Sequence, residues 1–158
     1  MLFKISLFAF AITFNLFVFN NGTSNKALLD TSGKLTCGGQ PFGGANVSIC
    51  DGSGSPKLLG SLNTKSDGSF DLEQRLDRDN YTHFLVSMHH NCTSEGSQGT
   101  EQKTYTVKFN ATNTTNVNSN AGYSALGIYT FYNISVGDIS LQSVTTKPGV
   151  QNCPQTTN

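Results

Sequence analysis

The feature that most constrains this chain is a series of short runs with apolar residues at alternate positions, separated by Gly, Asn, Asp and Ser. The runs are GKLTC (33–37), ANVSICD (45–51), KLLGSLNT (57–64), SFDLE (69–73), THFLVSMHH (82–90), KTYTVKFN (103–110), ALGIYTFYNISV (125–136) and GDISLQS (137–143). A period of two is strand geometry, because successive strand side chains point to opposite faces of a sheet. No helical period persists beside it. The pattern therefore predicts an all-β antiparallel sandwich of seven or eight strands in two sheets.

Alternation also assigns faces. Leu35 and Cys37 share one face, and Ala45, Val47 and Ile49 point inward while Asn46, Ser48 and Cys50 point outward. Tyr105, Val107 and Phe109 point in, leaving Thr104, Thr106 and Lys108 facing water. Tyr132, Ile134 and Val136 are in phase with one another but out of phase with Ile139 and Leu141, and a bulge or break at Gly137 would restore the phase.

The opening residues, MLFKISLFAFAITFNLFVFN, carry one lysine and an apolar run suited to a secretory signal peptide, with cleavage expected after Ser24. Residues 25–32 read as a linker, 33–142 as the domain and 143–158 as an irregular C-terminal tail. Ten basic residues against ten acidic ones, with no block of either sign, exclude the electrostatic footprint of a nucleic-acid binder. No second apolar run spans a membrane, so an extracellular, secreted product is expected rather than an integral membrane protein. Asn21, Asn46, Asn80, Asn91, Asn110, Asn113 and Asn133 head N-x-S/T sequons; in the mature chain Asn46, Asn80, Asn91, Asn110, Asn113 and Asn133 are the glycosylation candidates.

The stretch FLVSMHHNC (84–92) raises the question of a metal or catalytic cluster. On a strand, Phe84, Val86, Met88, His90 and Cys92 share one face and Leu85, Ser87 and His89 the other, so the adjacent imidazoles diverge and cannot chelate one ion. His90 is expected to be a hydrogen-bonded residue that buttresses Cys92, and His89 a solvated surface residue. Asp67 and Gly68 in SDGS read as turn chemistry, with glycine supplying positive φ, since the further carboxylates of a calcium loop are missing. No metal ligand set, cofactor site or nucleophile–base pair is expected, and the chain reads as a non-enzyme.

Four cysteines, with no CxxC pair, imply two disulfides in an oxidising compartment. Cys37 and Cys92 fall on the apolar sides of their strands, whereas Cys50 points outward, where the tail bearing Cys153 could reach it. The expected pairing is Cys37–Cys92 and Cys50–Cys153; Cys37–Cys153 with Cys50–Cys92 is the competing pattern.

GKLTCGGQP (33–41), NVSICD (46–51), TKSDGSF (64–70), LVSMHHNC (85–92) and YNISVGDISL (132–141) together resemble the nematode transthyretin-like family. The resemblance spans residues 33 to 142 and implies a transthyretin-like Greek-key β-sandwich in a secreted protein. SEGSQGTEQK (94–103) lacks a cysteine usual in that family, and Cys50 stands where an aromatic is more usual, so the likeness is to a divergent member. The related 5-hydroxyisourate hydrolases end in a YRGS-type motif, and this chain ends VQNCPQTTN. Two functions follow as expectations. One is an extracellular binding or bridging protein that engages an unknown extracellular protein or a lipid head group. The alternative is a carrier of a small apolar ligand in a transthyretin-like oligomer.

Overall fold

The computed structural model describes residues 26–111, 117–124 and 127–155, and among them the regular structure is entirely β. The strands are β1 (Lys26–Cys37), the two-residue β2 (Gln40–Pro41), β3 (Asn46–Asp51), β4 (Lys57–Asn63), β5 (Ser69–Leu76), β6 (His83–Cys92), β7 (Gln98–Asn110), β8 (Val117–Ser124) and β9 (Gly127–Ser140). Setting aside the two-residue β2, eight strands form the two sheets of a transthyretin-like sandwich. The signal segment, Asn21 and Asn113 lie outside the described residues.

One sheet is built on β1. On one edge it pairs antiparallel with β5 along Ala27–Lys34 and with β2 at Thr36 and Cys37, and on the other it pairs parallel with β9, which carries β8. The second sheet runs β4–β3–β6–β7, antiparallel throughout. The parallel β1–β9 contact makes the first sheet mixed.

Two segments differ from expectation. Residues 26–32, read as a linker, are the first half of β1. Ala27, Leu29 and Thr31 are fully buried in the same phase as Leu35 and Cys37, so the alternation simply continues through Gly33. The runs 125–136 and 137–143 join instead of forming two strands: β9 is continuous from Gly127 to Ser140, and its register against β1 skips Val136. Gly137, at φ 76°, takes up that extra residue.

The inner faces enclose one core, in which Phe70, Phe84, Leu29, Leu35, Ile49, Met88 and Ile134 are almost wholly buried. Each contributes roughly 1.5–3 kcal/mol by leaving water. At one end Tyr81 stacks on Phe84 at 5.3 Å between ring centres, and Tyr132 meets Phe84 edge-on at 5.0 Å. The Tyr132 hydroxyl donates to the Asp79 carbonyl, which supplies the partner a buried phenol requires. Near the opposite end the Cys37–Cys92 disulfide, with Cα atoms 5.9 Å apart, ties β1 to β6 and so joins the two sheets.

Candidate binding cleft beside His89

The outer face of the second sheet is built from three cross-strand rows fixed by register. Leu58, Cys50, Leu85 and Lys108 form the first; Ser61, Ser48, Ser87 and Thr106 the second; Asn63, Asn46, His89 and Thr104 the third. An ordinary solvated face would carry charges in these rows. Only Lys108 is charged.

The tail explains the first two rows. Residues 144–155 contain no strand or helix, yet they lie across β6 and β7. The Cys50–Cys153 disulfide, with Cα atoms 5.8 Å apart, anchors them, and Cys50, Leu85 and Cys153 form a second small core with Leu58 and Val150. The polar row is satisfied in turn. Ser87 and Thr106 share a hydroxyl hydrogen bond of 2.7 Å, the Cys153 N–H donates to Ser87 Oγ, and the Thr106 hydroxyl donates to Asn152 Oδ1. The Thr106 N–H donates to the Thr146 hydroxyl, which itself donates to the Thr104 carbonyl. The expectation that Thr106 faces water is therefore corrected: it is 2% exposed. Ser48 and Cys50 do point away from the main core, but they are buried, because the tail covers them. Ser87 lies fully buried beneath the same strap with its oxygen engaged.

Asn63, Asn46 and His89 of the third row line an open cleft of about 490 Å³. Its other lining residues include Phe42, the Gly43–Gly44 turn, His90, Asn91, Gln98, Gln102 and, from the tail, Gln155. His89 does not stand in solvent as expected. It is 5% exposed, with Nδ1 2.9 Å from the Thr104 hydroxyl, while its Nε2 is buried and has no hydrogen-bond partner. Burial pushes its pKa below the ordinary value, so the ring is neutral at neutral pH. The Asn46 amide donates to Asn63 Oδ1 at 3.2 Å and accepts from the Ser48 hydroxyl at 3.0 Å, which locks two of the wall residues. The Asn91 amide donates to the Gly99 carbonyl at 2.7 Å.

His90 projects to the opposite face, into the core end of the strand. Its Nδ1 accepts the Cys92 N–H at 3.1 Å, and its ring meets Phe42 edge-on at 6.4 Å. Burial first, then the nearby Lys103 charge and His89, lower its pKa. The corner that carries Phe42 is held by the SDGS turn. The Gly68 N–H donates to the Lys65 carbonyl, the Leu35 N–H to the Gly68 carbonyl and the Phe42 N–H to the Leu35 carbonyl, each at 2.9 Å. Gly68 has φ 77°, and the Asp67 carboxylate accepts both the hydroxyl and the N–H of Ser69, which hold its pKa down.

Among the sequon asparagines, Asn80 and Asn133 are exposed, whereas Asn46, Asn91 and Asn110 are half-buried. Among the described residues no group of three or more His, Cys, Asp or Glu side chains is placed to hold a metal ion. His89, Gln98, Gln102 and Gln155 were not singled out as site residues by sequence. The available signal was the near absence of charge at the outward positions of β3 and β6, which marks a face that water does not own.

Residues 32–109 match the family model TTR-52, described as the transthyretin-like family. Through these residues, just under half of its length, the chain is similar to the transthyretin-like family. The match takes in β2 through most of β7 and the closing half of β1, so it includes Cys37, Cys50 and Cys92 but not Cys153. No curated protein sequence matches. Among solved structures, a 9R-lipoxygenase from Cyanothece PCC8801 aligns at 16% identity and a TM-score of 0.40, covering 78% of this chain and 18% of the lipoxygenase. The dioxygenase domain of a carbohydrate-binding protein fusion from Streptomyces sp. SirexAA-E aligns at 16% identity and a TM-score of 0.38, covering 75% of this chain and 84% of that domain. Catechol 1,2-dioxygenase from Acinetobacter sp. ADP1 aligns at 11% identity and a TM-score of 0.42, with coverages of 82% and 59%.

Proposed function

We propose that this protein is a secreted, non-enzymatic binding or bridging protein of the transthyretin-like family, which engages an extracellular partner through the open end of its four-stranded sheet. The observation that carries the reading is the cleft beside His89, where a rigid strand floor presents a buried imidazole nitrogen without a partner among amide side chains. Such a nitrogen costs about 1–3 kcal/mol while it stays unpaired, and a bound partner that pairs it recovers that cost. Two disulfides suit an oxidising compartment, and among the described residues no helix is long and apolar enough to cross a membrane.

The carrier reading calls for an apolar surface that could form a ligand channel between subunits. Among the described residues Phe131, 38% exposed, is the one large hydrophobic side chain offered to solvent, which favours binding through the polar cleft instead. Native mass spectrometry of the chain secreted from eukaryotic cells tests the choice. A monomer free of retained apolar ligand is expected, and a stable tetramer that keeps one would replace this reading with the carrier.

A further inference from the structure

The chemistry of the cleft narrows what can occupy it. The cleft is lined by six carboxamide side chains and the His89 imidazole, with Phe42, Ala45 and His90 at its edge and no acidic, lysine or arginine residue among its lining. Charged ligands therefore find no counter-charge, and an apolar ligand would strand the amides without partners. Amide groups both donate and accept, and so do hydroxyls. A hydroxyl also satisfies His89 Nε2 in either tautomer, since it can accept from an N–H or donate to a bare nitrogen.

A second observation points the same way. Two cleft residues, Asn46 and Asn91, head sequons. A sugar attached to Asn46 would begin inside the cleft, and the glycosylated amide keeps one N–H, enough for its bond to Asn63 Oδ1.

We propose that the cleft is a binding site for a neutral saccharide, either the first sugars of the chain's own Asn46 glycan or a separate glycan, with His89 Nε2 and the Asn63 and Gln102 amides as its polar contacts. His89 Nε2 is buried, so the saccharide pairs with it only once a neighbouring side chain moves aside; Gln98, Gln102 and Gln155, which line the cleft, are exposed. A cleft of about 490 Å³ accommodates one or two sugar rings. This rests on the reading of the protein as a binding module.

The test uses the full mature chain in two forms: unglycosylated, from an oxidising bacterial periplasm, and glycosylated, from eukaryotic secretion. Each is titrated with N,N′-diacetylchitobiose, with citrate as the charged comparator, while the ¹⁵N resonances of the imidazoles are followed by NMR. Saturable binding of chitobiose to the unglycosylated form, with the His89 Nε2 signal moving and citrate inert, is expected. Gln102→Ala at the exposed rim and His89→Phe should each weaken it about tenfold, and far-UV circular dichroism confirms that each variant folds. If the glycosylated form no longer binds and its His89 signal already matches the sugar-bound one, the Asn46 glycan is the occupant; if it binds equally, a separate glycan is. Absence of saturable binding in both forms, with His89 Nε2 unmoved by glycosylation, overturns the inference. In a monomeric chain that result leaves the binding-module reading standing, whereas a tetramer holding apolar ligand removes that reading.

Discussion

Replacing Gly68 by Ala, with Gly39→Ala as its control, separates two physical effects at the corner that carries Phe42. Both glycines have nearly the same φ, 77° and 76°, so an alanine at either site suffers similar left-handed strain. That strain is about 1–2 kcal/mol, and the stiffer unfolded chain returns roughly 0.4–1 of it, leaving about 1 kcal/mol. The surroundings differ. A Cβ at Gly39 meets nothing within 4 Å, whereas one at Gly68 overlaps the Leu35 carbonyl oxygen and comes within 3.0 Å of the Phe42 nitrogen. Relieving that overlap breaks or lengthens the Leu35 N–H to Gly68 bond and the Phe42 N–H to Leu35 bond, each worth about 1 kcal/mol. Gly68→Ala should therefore cost about 3 kcal/mol and Gly39→Ala about 1. At roughly 4 °C per kcal/mol for a chain of this size, thermal unfolding should fall by about 12 °C and about 4 °C. Differential scanning calorimetry at one scan rate measures both. Equal losses would refute the reasoning, because they would mean that φ alone, and not the close approach to Leu35 and Phe42, requires glycine at position 68.

Other outcomes follow from the same geometry. Removing Cys50–Cys153 by paired Ala substitutions should cost up to about 4.7 kcal/mol and removing Cys37–Cys92 up to about 4.2, since the bridges span sequence separations of 103 and 55; urea midpoints check this, and limited proteolysis should cleave the tail only in the first variant. Burial lowers the pKa of both His89 and His90, so the unfolded chain binds more protons below about pH 6.5. Stability should be complete above that pH and decline as the pH falls through the two folded-state values, with His90→Gln flattening the decline in urea titrations because protonating Nδ1 forfeits the Cys92 N–H bond. Site-resolved glycopeptide mass spectrometry should find Asn80 and Asn133, both exposed, more accessible to glycosidase in the folded protein than Asn46, whose amide is bonded to Asn63 within the cleft.

Much of the sandwich was legible because period-two alternation is a local property. The faces of β6 could be read from FLVSMHHNC alone, and they led to the Cys37–Cys92 pairing found in the structure. The first half of β1 was missed although Ala27, Leu29 and Thr31 alternate correctly, because the run is short, adjoins the signal segment and contains few strand-forming residues. His89 and Thr106 were misread for another reason. Alternation tells which face of a sheet a residue occupies, but not whether another segment crosses that face. What buries Ser48, Ser87 and Thr106 is a tail with no strand pattern of its own, held by one disulfide and a few hydroxyl contacts. The cleft was hidden likewise, since its lining comes from five separate segments that only the register of β4, β3, β6 and β7 and the path of the tail bring together.

That the cleft beside His89 holds a neutral saccharide is tested most directly by hydrogen exchange on the unglycosylated mature chain, with and without a large excess of N,N′-diacetylchitobiose. Slower exchange is expected in the segments 42–46 and 91–102, whose residues wall the cleft, with the β1, β5 and β9 amides unchanged. Protection confined to the β1–β9 sheet, or no change anywhere at that excess, would contradict it.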